Sequence, residues 1–138
     1  ESNANLVEWK KFFDFSRNEY PYVNYNLMGD DKIVPEIMKL DNINILREEY
    51  SLLEQFKLFK FAKGFLGTAS GVCCVANFSN TPYVIFKHPS HHAKEMSKEL
   101  GERESFNFSY KDQFLFRKDQ TFKLLKEGLI MIMNANET

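Results

Sequence analysis

The sequence predicts an α/β fold, a three-layer sandwich around a mostly parallel sheet. Two observations carry this. Short β-rich runs alternate with amphipathic helical runs from one end of the chain to the other, the order that winds a parallel sheet from βαβ units. The run at 82–87 (Pro-Tyr-Val-Ile-Phe-Lys) is nearly all apolar, as expected of a strand buried on both faces.

In chain order, Leu6, Trp9 and Phe13, with Phe12 beside them, recur at helical spacing, while Lys10, Lys11 and Asp14 take the wet side. This predicts an amphipathic helix ending near Tyr20-Pro21. Residues 22–28 (YVNYNLM) alternate and stop at Gly29-Asp30, so they read as a strand. A short helix over 33–40 and a short strand over 43–46 follow. Ser51 with Glu54 makes a capping box. The helix it starts places Leu52, Phe56 and Phe59 on one side and Lys57, Lys60 and Lys63 on another, and Gly64 ends it. Phe65-Leu66 opens a strand that runs into Gly67-Thr68-Ala69-Ser70-Gly71, and 72–78 is a short helix. After the strand at 82–87 come a helix at 91–100, a loop at 101–112, a strand or extended arm at 113–117, and a last amphipathic helix at 121–134. The arrangement is Rossmann-like, and a strand before residue 1 is missing from it.

The chain has 138 residues, the size of one domain. Apolar residues make up 43% and aromatic residues 15%, too many for a disordered segment. The formal net charge is −1, so no broad pull toward nucleic acid is expected. No apolar run nears the ~20 residues of a transmembrane helix, and no secretory signal opens the chain. The two cysteines, Cys73 and Cys74, are adjacent. They build no disulfide framework, which points to a reducing, cytoplasmic setting. The polar opening at 1–5, without an initiator Met, reads as the interior of a longer chain, a processed product or an expression product.

In open parallel sheets, ligands sit beyond the carboxyl ends of the strands. Three polar tips fall there: residues 1–5, Gly29-Asp30 and 67–71. The third is the best phosphate candidate. Gly67 and Gly71 let an anion approach the backbone, Thr68 and Ser70 add hydroxyl donors, and a helix beginning near Val72 contributes its N–H groups and dipole. On spacing alone, the same residues also suit a plain tight turn with Ser70 as helix cap. His88, His91 and His92 read as a solvated loop at the mouth of the cleft, where Lys87 or His88 can touch phosphate, rather than as a metal site. Cys74 reads as a small core residue rather than a nucleophile. The Lys57, Lys60 and Lys63 stripe reads as a wet helix face. The Phe-rich run at 56–65 reads as core, with some of its surface open to a partner domain.

The run at 69–86 (Ala-Ser-Gly-Val-Cys-Cys-Val-Ala-Asn-Phe-Ser-Asn-Thr-Pro-Tyr-Val-Ile-Phe) resembles the donor-site segment of heptosyltransferase-type glycosyltransferases of the two-Rossmann-domain (GT-B) class. Ser70, Gly71, Ala76 and Pro82 match that pattern without a gap. Trp9 resembles the start of the family's first helix in its C-terminal half, and 24–29 its second strand. Two positions depart: the family's Asp before Ser-Gly is Ala69 here, and its His three residues after the Gly is Cys74. The resemblance implies that residues 1–138 are one donor-binding domain of a two-domain glycosyltransferase. It implies that Thr68, Ser70 and Gly71, beside Gly67, hold the diphosphate of a nucleotide-sugar, with Ser2 and Asn3 lining the same pocket. Residues 47–50, Glu49 among them, approach the base or ribose, and Lys87 flanks the phosphates. The acceptor and the catalytic base belong to a missing N-terminal acceptor-binding domain. The nucleotide-sugar is a substrate, so no cofactor and no metal are implied. The catalytic residues are not assigned. The isolated piece is expected to be inactive, and a homodimer can cover its unpaired sheet edge. Ala69 and Cys74 support a different reading, a non-catalytic binding module such as an immunity or adaptor protein. A phosphate-binding enzyme of another class on the same fold also stays open.

Overall fold

A computed structural model describes residues 5–28, 35–45, 52–68, 75–89, 93–101, 103–106 and 109–137. Its elements are α1 (Leu6–Glu19), β1 (Tyr25–Leu27), α2 (Pro35–Met38), β2 (Ile43–Ile45), α3 (Leu52–Phe61), β3 (Phe65–Thr68), β4 (Tyr83–Phe86), α4 (Ala93–Leu100), β5 (Gln113–Phe116) and α5 (Phe122–Ala135). Residues 75–77 add a helical turn between β3 and β4.

Every strand pair among the described residues is parallel. This is the mixed α/β fold with parallel strands that the alternation predicts. The pairing differs from a single sheet, because β1 and β2 form one sheet and β3, β4 and β5 form another in that order. Partner choice is a long-range matter that local patterning does not encode.

Local chemistry accounts for the helix ends. The Asn5 side chain caps α1 by accepting from the Glu8 backbone N–H. Thr121 does the same for α5, accepting from Leu124 at 3.2 Å. Gly101, at φ +60, ends α4 in the left-handed region that costs glycine least. Gly128 has a packing reason. A Cβ there would lie 2.9 Å from Leu66 Cδ1 and 3.3 Å from Val84 Cγ1, so its absence lets α5 sit close on β3 and β4.

The strands divide the core by alternation. Val84 and Phe86 point to one face, where they pack with Trp9, Phe12 and Phe13 of α1, Ile37 of α2, and Leu125, Leu129 and Ile132 of α5. Tyr83, Ile85 and Leu115 point to the other face. There they meet Phe59 of α3, Val75 and Ala76, and Met96 and Leu100 of α4. Helices therefore cover both faces of the three-stranded sheet, and β4 is buried throughout. Among the described residues, the β1–β2 sheet is covered on the α1 and α2 side. Its other side shows the exposed Asn26 and Asn44, joined by an amide hydrogen bond of 3.0 Å.

Two sequence expectations need correction. Phe61 is 81% exposed, so the Phe-rich run at 56–65 is not all core; Phe59 is buried while Phe61 shares the wet side with Lys57 and Lys60. The strand at 22–28 is shorter than its alternation suggests, because Pro21-Tyr22 forms a turn and pairing starts at Tyr25.

Tyr25 anchors β1 under α1. Its ring lies 5.8 Å from that of Phe12 and 5.2 Å from that of Phe13. Its hydroxyl shares a 2.6 Å hydrogen bond with Ser16, a residue with no exposed surface. Burial pushes the Tyr25 phenol up from 10.0 to about 12, against the opposing pull of the Ser16 hydrogen bond. The folded state thus holds the proton that the unfolded state releases near 10, so Tyr25 contributes stability below pH 10 that is lost as pH rises toward 12. Urea unfolding at pH 9 and at pH 11.5 is expected to show a drop in stability that is smaller in Tyr25→Phe. An equal drop in both proteins would rule Tyr25 out as the source.

Candidate functional site

The parallel register fixes where the carboxyl edge lies. Thr68 of β3 stands beside Phe86 of β4, and Phe86 beside Phe116 of β5, so the three strands end level. The residues that follow β4 and β5 therefore share one edge with Thr68. They are Lys87 and the exposed His88 after β4, and Arg117 and the exposed Lys118 after β5. The Lys87 backbone N–H donates to the Phe116 carbonyl at 2.9 Å, which ties the two exits together. Arg117 donates to the Ser97 hydroxyl of α4 at 3.2 Å. The Lys118 ammonium sits 5.4 Å from the centroid of the Phe116 ring, a cation–π arrangement. Basic residues thus follow two neighbouring strands at their carboxyl ends, with Arg117 turned toward α4 and Lys118 toward α5; this is the end where parallel sheets bind ligands, and cationic groups there favour anions.

Of the phosphate-site residues singled out from sequence, Gly67, Thr68, Lys87 and His88 are described, and the register brings Thr68 and Lys87 to neighbouring strand ends. Ser2, Asn3, Glu49, Ser70 and Gly71 lie outside the described residues, as do Ala69, Cys73, Cys74, His91 and His92. Gly67 differs from the expectation. It lies inside β3 rather than in the loop, and it is buried. A Cβ on it would fall 2.8 Å from the tip of the Phe65 ring, so a side chain here would require that ring to shift. Arg117 and Lys118 are not marked as site residues by any local pattern in the sequence beyond a basic pair after an apolar run. Only the β4–β5 register brings that pair to the same edge as Lys87.

A cavity lies near each end of the described strands. A small one of about 50 Å³ lies under this edge, lined by Phe86, Phe116, Lys118, Leu124, Glu127, Gly128 and Met131. It is far below the ~300 Å³ at which ligand pockets begin. A larger, open depression of about 350 Å³ lies at the amino ends of β1 and β2, lined by Arg17, Asn18, Pro21, Asn24, Asp41 and Asn42. Both amide atoms of the Asn42 side chain are buried there without a partner among the described residues. Size favours this depression; the chemistry of parallel sheets favours the carboxyl edge, where Lys87, Arg117 and Lys118 follow the strand ends.

Among the described residues, no three His, Cys, Asp or Glu side chains gather as a metal site would require. No described helix is long and apolar enough to cross a membrane. Comparison of the chain with protein-family models, with curated proteins and with solved structures gives no match.

Proposed function

We propose that the carboxyl edge of β3, β4 and β5 holds the diphosphate of a nucleotide-sugar, and that the chain is the donor-binding domain of a glycosyltransferase with a Rossmann-like three-layer fold. The observation that carries this reading is the level ending of three parallel strands, with Thr68, Lys87 and Arg117 at neighbouring exits. Helices on both faces of that sheet support the three-layer fold.

The chemistry asked of such a domain is electrostatic. When a glycosyl group leaves its donor, negative charge grows on the departing nucleoside diphosphate. Cations and N–H groups already aimed at that oxygen lower the barrier, because they need not reorganise as the charge appears. Lys87 and Arg117 supply the charge in this reading, and Thr68 and Ser70 supply hydroxyl donors. The acceptor and the base that deprotonates it come from a second domain. Ala69 and Cys74, in place of the Asp and His of the family it resembles, favour a second reading: a module that holds a phosphate compound without transferring anything.

Thermal unfolding in the presence of UDP, GDP, ADP and CDP tests the site. One of them is expected to raise the midpoint, since a ligand at a hundred times its Kd stabilises the folded state by about 2.7 kcal/mol. The rise is expected to shrink in Ser70→Ala and in Lys87→Ala. If none of the four shifts the midpoint, the nucleotide reading fails. A shift without transfer, even when a second domain is supplied, selects the module.

A further inference from the structure

The two sheets are separate, yet they share one core. On the face that carries α1, the helices lie in the order α2, α1, α5: α1 packs against both neighbours, α2 lies on β2, and α5 lies on β3 and β4. Tyr25 of β1 is held against Phe12 and Phe13 of α1. The strand of the first sheet nearer to β3 is therefore β1, and α1 roofs the strip between them. No ladder joins β1 to β3.

Backbone alternation shows which groups face that strip. The Tyr25 N–H donates to Asn42 on the β2 side at 2.9 Å, so Asn26 turns its N–H and C=O the other way. The Phe65 N–H donates to Pro82 on the β4 side at 2.9 Å, so Leu66 likewise turns its backbone groups toward the strip. Residues 65, 66 and 68 of β3 are only partly buried, whereas all four residues of β4 are buried.

Chain winding gives the direction. The step from β1 to β2 crosses through α2 on the α1 face. The steps from β3 to β4 and from β4 to β5 cross through residues 75–77 and α4 on the opposite face. These steps run outward in opposite directions from the strip. Right-handed crossovers in both halves require the strands of the two sheets to point the same way. In addition, α1 stands before β1 on the same face as α2 stands before β2, the position of a crossover helix whose own first strand enters on its amino side.

We propose that one further parallel β-strand, supplied by chain on the amino side of α1, fits between β1 and β3 and joins the two sheets into one of order β2, β1, new strand, β3, β4, β5. The chain then winds outward both ways from the centre of a doubly wound sheet. The inserted strand takes up the backbone groups of Asn26 and Leu66, and its side chains on one face lie beneath α1. Its carboxyl end arrives beside Thr68, so it completes the edge described above. The proposal does not rest on nucleotide binding, which can fail with the strand in place.

Fusing a strand of about six alternating Val and Thr residues directly ahead of Glu1 tests this. A Gly/Ser segment of equal length is the reference, and the same strand with a central Pro is the control. Amide exchange followed by NMR without nucleotide is the readout. The expected result is roughly tenfold or greater slowing at Asn26 and Leu66 with the Val/Thr strand, lost with the Pro. A folded Val/Thr protein beside an unfolded Gly/Ser protein supports the proposal equally. Unchanged exchange at both amides overturns it, as does a direct Asn26–Leu66 cross-strand contact in the Gly/Ser protein.

Discussion

Phe12→Ala is expected to lower the stability of the chain by about 3–5 kcal/mol, the usual cost of emptying a buried phenylalanine site. Phe12 has no exposed surface. Its ring lies 5.9 Å from that of Trp9, 5.5 Å from that of Phe13 and 5.8 Å from that of Tyr25. It shares its core cluster with Val84 and Phe86 of β4 and with Leu125 and Leu129 of α5. Truncation removes apolar burial and leaves a cavity at the place where α1, the first sheet and the second sheet meet. The loss is a large part of the ~5–15 kcal/mol by which domains of this size are stable, and it corresponds to a fall of roughly 15 °C in Tm. Urea unfolding followed by the fluorescence of Trp9, the one tryptophan of the chain, measures it. A loss below about 1 kcal/mol would mean that α1 is not docked as described.

Gln113→Leu is expected to cost about 3 kcal/mol, although leucine is apolar and similar in size. Gln113 is 1% exposed and all of its amide is in use. Its Nε2 donates to the Ser79 carbonyl at 2.8 Å and to the Thr81 carbonyl at 2.9 Å. Its Oε1 accepts from the Tyr110 N–H at 2.8 Å. Thr81 in turn donates from its hydroxyl to the Phe59 carbonyl at 2.5 Å. One amide thus stitches the start of β5 to the approach to β4 and, through Thr81, to α3. Leucine leaves these backbone groups without their partner, and a buried unpaired group costs ~1–3 kcal/mol. Denaturant midpoints of wild type and Gln113→Leu compare directly if the slope is unchanged. A difference within about 0.5 kcal/mol would show that water replaces the amide at no cost.

Much of this architecture was legible in the sequence. Helical spacing of Trp9 and Phe13 located α1, and the apolar run at 82–87 located the buried β4. The last amphipathic run, at 121–134, located α5. What was not legible depends on distant partners. Gly67 read as loop, yet it extends β3 because β4 offers it a ladder and the Phe65 ring fills the space of its missing side chain. Phe61 read as core, yet α3 turns it outward. The division into two sheets follows from hydrogen-bond partners far apart in the chain, which no local pattern announces. The candidate edge was legible in part. Thr68 and Lys87 were named from the turn chemistry and the strand end, while Arg117 and Lys118 joined them only through the β4–β5 register.

The location of the anion site is the central claim, and an amide NMR titration of the chain with UDP and the other three nucleoside diphosphates tests it most directly. The account predicts saturable shifts at the backbone amides of Thr68, Lys87, His88, Arg117 and Lys118, at the carboxyl edge of β3, β4 and β5. Shifts confined to Arg17, Asn18, Asp41 and Asn42, around the depression at the amino ends of β1 and β2, would contradict it, as would no shift at either end.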